Sequence, residues 1–184
     1  MLIQQHINGS NAFNRSWAEY KVGFNDSRGN YWLGNDLLSQ LTLTGRYKLR
    51  MALRPCHSLI GNLYLAETVE YSTFIVQPEW SNYRLNVSGY LGNPAYNVLF
   101  GNQFEYINKQ HNISRQTFTT YDRDNDNWSS GNCASELGSG FWYNACSWFS
   151  MNCNYFHRHD NDMHILPMHG GENLQTSRMW LQCK

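Results

Sequence analysis

Between Thr119 and Cys146 the chain reads TTYDRDNDNWSSGNCASELGSGFWYNAC. This stretch constrains the fold more than any other. Asp122, Asp124 and Asp126 alternate. In an extended loop, side chains two apart point the same way, so Asp124 and Asp126 can converge on one ion. A Ser-Ser-Gly-Asn turn leads into Cys133, and the aromatic block Phe141-Trp142-Tyr143 runs into Cys146. Carboxylates, a tight polar loop and two cysteines close in sequence point to a metal-clamped, disulfide-closed loop. It is not an EF-hand. Counting from Asp122, the sixth position is Asn127 rather than Gly, and the twelfth is Cys133 rather than Glu.

The remaining sequence must present this loop. The whole chain's 184 residues suffice for one domain with a real core or two small lobes. Formal net charge is zero, which gives no general electrostatic reason to bind nucleic acid. Seven Trp and twelve Tyr are many for this length. Such rings fill cores, and they also line sugar and peptide sites, because each pairs an apolar face with a polar edge. No apolar run approaches the ~20 residues of a membrane span. The first residues, Met1 to His6, lack the regions of a signal peptide. Asn-x-Ser sequons at Asn8, Asn14, Asn25, Asn86, Asn112 and Asn127 permit an extracellular setting. The cysteines are Cys56, Cys133, Cys146, Cys153 and Cys183, an odd number, so at least one has no partner within the chain.

Along the chain, a short strand is expected before the Asn8-Gly9-Ser10 turn. Asn14-Arg15-Ser16 caps a short helix from Trp17 that ends near Gly23. A second helix starts at Asn35 and Asp36 and runs to Leu41. Residues 46–53, 62–66, 69–76 and 83–88 read as strands. Beyond about residue 95 the periodicity weakens and Asn, Gly and Ser rise. That half is expected to hold few long strands or helices, and to need metal and disulfide staples.

FNRSWAEYKVGF (13–24), GNYWLGNDLLSQLT (29–42), YRLNVSGYLG (83–92), FTTYDRDNDN (118–127), GNCA (131–134) and FWYNAC (141–146) resemble the fibrinogen C-terminal domain in order and spacing. That family includes fibrinogen chains, ficolins, tachylectins, tenascins, angiopoietins and fibroleukin. The resemblance implies an α+β fold, with a twisted antiparallel sheet, short helices and a loop-rich calcium and ligand lobe. On this reading residues 1–184 are one N-terminally truncated domain, with a sheet lobe over about 1–95 and the calcium and ligand lobe over about 96–184. Loss of the family's first lobe would leave one side of the sheet as an unpaired edge.

The resemblance also implies a site. Calcium would take the carboxylates of Asp124 and Asp126 and carbonyls from Trp128 and Ser130, with Asp122 orienting the loop. The family pattern pairs Cys133 with Cys146. Cys153 and Cys183 form a further candidate pair, which leaves Cys56 odd. Tyr143, Ala145, Cys146, Ser147, Tyr155 and Phe156 are the expected walls of a ligand pocket beside the loop. The Ala145–Cys146 peptide bond is expected to be cis, as it often is in the family. Ser147 stands where the family usually has His, so the ligand half has drifted further than the calcium loop. The run His157, His159, His164 and His169 after Cys153 offers a rival zinc or copper site, but its spacing fits no known closed site. No catalytic motif is present: there is no Gly-x-Ser-x-Gly, HExxH or P-loop.

The expected function is therefore a secreted, non-enzymatic, calcium-dependent recognition domain. Its first reading is lectin-like binding of acetylated sugars. Its alternative is a protein-interaction domain that grips a receptor or matrix partner. The expected partners are a carbohydrate or protein ligand on a target surface, without nucleic acid or a membrane span. The family's habit implies homo-oligomers formed through regions outside this sequence.

Overall fold

The computed structural model describes residues 1–7, 11–55, 67–92, 99, 112–146, 150–152 and 174–184. Seven strands form one antiparallel sheet: β1 (Leu2–His6), β2 (Phe24–Asn25), β3 (Tyr31–Trp32), β4 (Tyr47–Pro55), β5 (Glu67–Val76), β6 (Leu85–Tyr90) and β7 (Leu174–Cys183). Their order is β2-β3-β1-β7-β4-β5-β6. Among the described residues three short α-helices accompany them: α1 (Trp17–Val22), α2 (Asn35–Thr42) and α3 (Cys133–Leu137). This is the expected α+β architecture.

β7 comes from the second half of the sequence and sits at the sheet's centre. β1 is paired on both sides, by β3 and β7, and the edge strands are β2 and β6. The strand expected at 62–66 lies outside the described residues, as do Cys56 and Cys153 and the His157–His169 run.

Local chemistry explains α1. Ser16 is its N-cap, and its hydroxyl accepts the Glu19 amide at 3.3 Å. The Glu19 carboxylate in turn accepts the Ser16 amide at 2.9 Å, completing a capping box. Gly23 ends the helix with φ 93°. A Cβ there would lie 2.6 Å from the Leu33 carbonyl oxygen, so only glycine lets the two segments pass this closely.

The core lies on one face of the sheet. Leu49, Met51 and Leu53 of β4 and Met179 and Leu181 of β7 point into it. The segment after residue 112 adds Phe118, Phe141, Trp142 and Tyr143. Phe118 and Trp142 meet edge to face, with ring centroids 5.1 Å apart, and both also touch Trp32. The Trp142 indole donates to the Tyr83 carbonyl at 2.7 Å. The loop segment is thus rooted by large buried rings before it reaches the surface.

Candidate functional site

Three aspartates, three different settings, define the loop. Asp122 faces α1: its Oδ1 accepts the Trp17 amide at 2.9 Å and the Thr120 hydroxyl at 2.7 Å. Trp17 is the first residue of α1, so its amide is one of the orphan donors at a helix start. Asp122 therefore ties the loop to the start of α1. Asp124 is exposed, and its Oδ1 accepts the Asp126 amide at 3.2 Å. Asp126 is half-buried. Its Oδ1 accepts the Trp128 amide at 2.8 Å and its Oδ2 the Cys133 amide at 2.8 Å.

Burial pushes the Asp126 carboxyl above the usual aspartate range. The amide hydrogen bonds from Cys133 and Trp128 pull against that shift, while Asp124 adds to it. Arg123 lies beside Asp122 and Asp124 in sequence but is engaged elsewhere. Its guanidinium lies 4.0 Å from the Trp17 ring centroid and donates to Asn82 Oδ1 at 2.7 Å.

Asparagines and a disulfide fix the loop's return. Asn125 Nδ2 donates to the Phe118 carbonyl at 2.8 Å. Asn127 donates its amide to the Asn144 carbonyl at 2.8 Å and its side-chain Nδ2 to Asn144 Oδ1 at 2.8 Å. Asn132 caps α3 by accepting the Ser135 amide at 3.0 Å, and its Nδ2 reaches the Thr120 carbonyl at 3.0 Å. Cys133 and Cys146 form a disulfide. Trp128 packs against the core and lies across Gly131, where a Cβ would stand 2.5 Å from the ring. Ser130 is exposed. Sequence reasoning misses these asparagines as a group, although Asn at 125, 127 and 132 is the composition of side-chain-to-backbone turns.

The expected pocket is brought together only in part. Ala145 and Cys146 are half-buried beside the loop. Tyr143 is not a surface wall: it is fully buried. Its hydroxyl lies 2.8 Å from Ser139 Oγ and 3.3 Å from Ser150 Oγ, and donates to the Ser139 carbonyl at 3.1 Å. A phenol that finds polar partners inside the core has no need of solvent. Ser147, Tyr155 and Phe156 lie outside the described residues. The Ala145–Cys146 bond is trans, since no cis peptide occurs among the described residues. Trans is the ordinary state of a bond that does not precede proline.

Residues 1–181 match the family described as fibrinogen beta and gamma chains, C-terminal globular domain. The chain belongs to this family. Human fibroleukin is 36% identical over 157 residues, which cover 85% of this chain and 33% of fibroleukin. The chain thus spans about a third of that relative's length. The fibrinogen-like globe domain of human ANGPTL2 is 30% identical, with a TM-score of 0.77 over 99% of this chain and 79% of that one. A lamprey fibrin D-dimer, solved with the peptide Gly-His-Arg-Pro-amide, is 28% identical, with a TM-score of 0.81 over 98% of this chain and 60% of that one. Fibrinogen C-terminal domains are non-catalytic binding modules, and this chain is one. Kinship with fibrinogen and angiopoietin-like proteins supports an extracellular context. Among the described residues no helix is long and apolar enough to cross a membrane.

Proposed function

We propose that this domain grips a receptor or matrix protein through the surface where residues 79–82 and the 120–123 turn meet over Trp17, with calcium steadying the neighbouring loop. One observation carries the reading. Trp80 is 83% exposed and Tyr121 is 48% exposed. Both sit on segments fastened to Trp17: its indole donates to Glu79 at 2.9 Å, and its amide donates to Asp122. Arg123 completes the surface. Exposed aromatic and Arg side chains on a rigid base are the composition of interface anchors. The likeness to an angiopoietin-like globe domain supports the same reading. Lectin-like binding of acetylated sugars draws less support, because Tyr143 is buried.

The loop's donor set fits calcium. Asp124 and Asp126 are neighbouring carboxylates whose repulsion a cation would relieve. Each Asp126 oxygen accepts one amide and keeps acceptor capacity for a metal. The Trp128 carbonyl takes only a long 3.3 Å hydrogen bond from Gly131, and Ser130 is exposed, so both carbonyls remain candidates. Bound calcium would supply positive charge that holds the loop closed.

Labelled domain applied to cells and to extracellular matrix tests the interface. Trp80→Ala with Tyr121→Ala should abolish binding. Protease treatment of the target should do the same, and N-acetylglucosamine should not compete. Competition by the free sugar, with the double variant still binding, would reverse the assignment. Thermal melts test the metal: millimolar calcium should raise Tm, EGTA should cancel the rise, and Asp124→Asn should remove it.

A further inference from the structure

The sheet has a second face, opposite the core. On β4 and β7 the even-numbered residues point to it, because Leu49, Met51, Leu53, Met179 and Leu181 all point inward. Register places Lys48 beside Gln182, Arg50 beside Trp180 and Ala52 beside Arg178. Arg46 and Lys184 continue the same alternation one residue past the ladder, where the Lys184 amide donates to the Arg46 carbonyl at 3.0 Å. Arg54 extends the row at the other end. Four of these six cations lie on two adjacent central strands, and Arg46 and Lys184 stand one residue beyond them. From Arg46 to Arg54 the row runs ~27 Å at the usual strand rise.

Negative charge on this face is scarce. Glu70 of β5 faces the row, and two of the cations share it. Lys48 Nζ lies 2.6 Å from Glu70 Oε2 and Arg50 Nε lies 3.9 Å from Oε1. Arg178 is held by a neutral partner, with its Nε donating to Gln5 Oε1 at 2.7 Å. The Arg50 side chain is 44% exposed. The chain's zero formal charge therefore hides a segregation, with a basic stripe on the open face of a neutral protein. Half-buried Trp180 lies within the stripe, beside Arg50, and offers a ring against which a sugar face can stack.

We propose that this face binds a sulfated polysaccharide of the cell surface or matrix. Sulfates would pair with the Lys and Arg row, and a pyranose ring would lie on Trp180. A straight cationic row flanked by an aromatic ring matches a linear polyanion whose charges alternate with apolar ring faces. The surface is separate from the calcium loop and from Trp80 and Tyr121. It stands whether or not the protein-binding reading does.

Immobilised heparin, with the intact chain passed over it in a salt series, tests the assignment. Binding should weaken steeply with salt, as counterion release requires. Arg46→Gln with Arg50→Gln should weaken it about tenfold and flatten the salt dependence. Lys48→Gln with Lys184→Gln should act in the same direction, so that the result does not hang on one variant's folding, which the Tm of each variant checks. Arg15→Gln with Arg115→Gln removes cations that lie off β4 and β7, Arg15 being paired with Glu19 of α1, and should change nothing. EGTA should leave binding intact, which separates this surface from the calcium loop. Desulfated heparin should not bind. Three results would overturn the proposal: equal loss in the Arg15/Arg115 pair, equal binding of desulfated heparin, or equal binding of a single-stranded oligonucleotide.

Discussion

Asp122 and Tyr143 show how single residues divide between what sequence reveals and what packing decides. The alternation of three aspartates marks the loop, and the different settings of Asp122 and Asp126 arise from the groups each one meets. Asp122 meets the free amide at the start of α1. Replacing it with Ala leaves that amide and the Thr120 hydroxyl without their acceptor. Asp122→Ala should cost about 1–3 kcal/mol in urea unfolding, the usual penalty for unmaking such bonds to a charged group. Asp122→Asn keeps an acceptor oxygen and should restore most of it. A neutral result for Ala would mean that the loop is not tethered through Asp122. Tyr143 looks like a surface residue for a plain reason. Phe141-Trp142-Tyr143 is an unbroken aromatic run, and no periodicity in it says which ring faces inward. In the structure all three do.

The elements of the first half are legible because their signals are local. The capping box at Ser16 and Glu19, the Gly23 stop and the alternation of β4 need no tertiary knowledge. The capping box also makes a pH prediction. The Ser16 amide, by hydrogen bonding to Glu19, holds that carboxyl below its usual value of about 4.3. A depressed carboxyl stabilises the fold above its unfolded pKa, and that gain is lost as pH falls through its folded pKa. Solvent screens this half-exposed group, which keeps the effect small. Wild type should therefore exceed Glu19→Gln by about 0.5–1 kcal/mol at neutral pH, and the gap should close in acid as pH falls through the lowered folded pKa. A gap that persists in acid would assign the effect to something other than the carboxylate. The disulfide acts at the same scale. It closes the loop onto α3, whose first amide is also held by Asp126. Cys133→Ser with Cys146→Ser should cost about 3 kcal/mol by chain entropy and should lower the calcium-induced rise in Tm.

At the scale of the whole molecule, the least legible element is the most central one. β7 does not read as a strand because Met179-Trp180-Leu181 looks like a continuous apolar run, and the buried residue before it is Ser177. The alternation exists, with Ser177, Met179 and Leu181 inward and Arg178 and Trp180 outward, but it shows only once neighbouring strands define the faces. Net charge misleads in the same way, since a total of zero carries no information about placement. The position of β7 has a thermodynamic consequence. It joins β1 and β3 on one side to β4, β5 and β6 on the other, so the sheet cannot open in halves without breaking it. Leu181→Ala should cost about 2–5 kcal/mol as a buried central residue, whereas Gln182→Ala on the open face should stay within about 0.5 kcal/mol. Far-UV and near-UV circular dichroism should shift together in Leu181→Ala, because Trp32 and Trp142 sit in the core that the sheet covers. Separate transitions would mean that the regions before and after residue 95 unfold as independent lobes, and that β7 does not couple them.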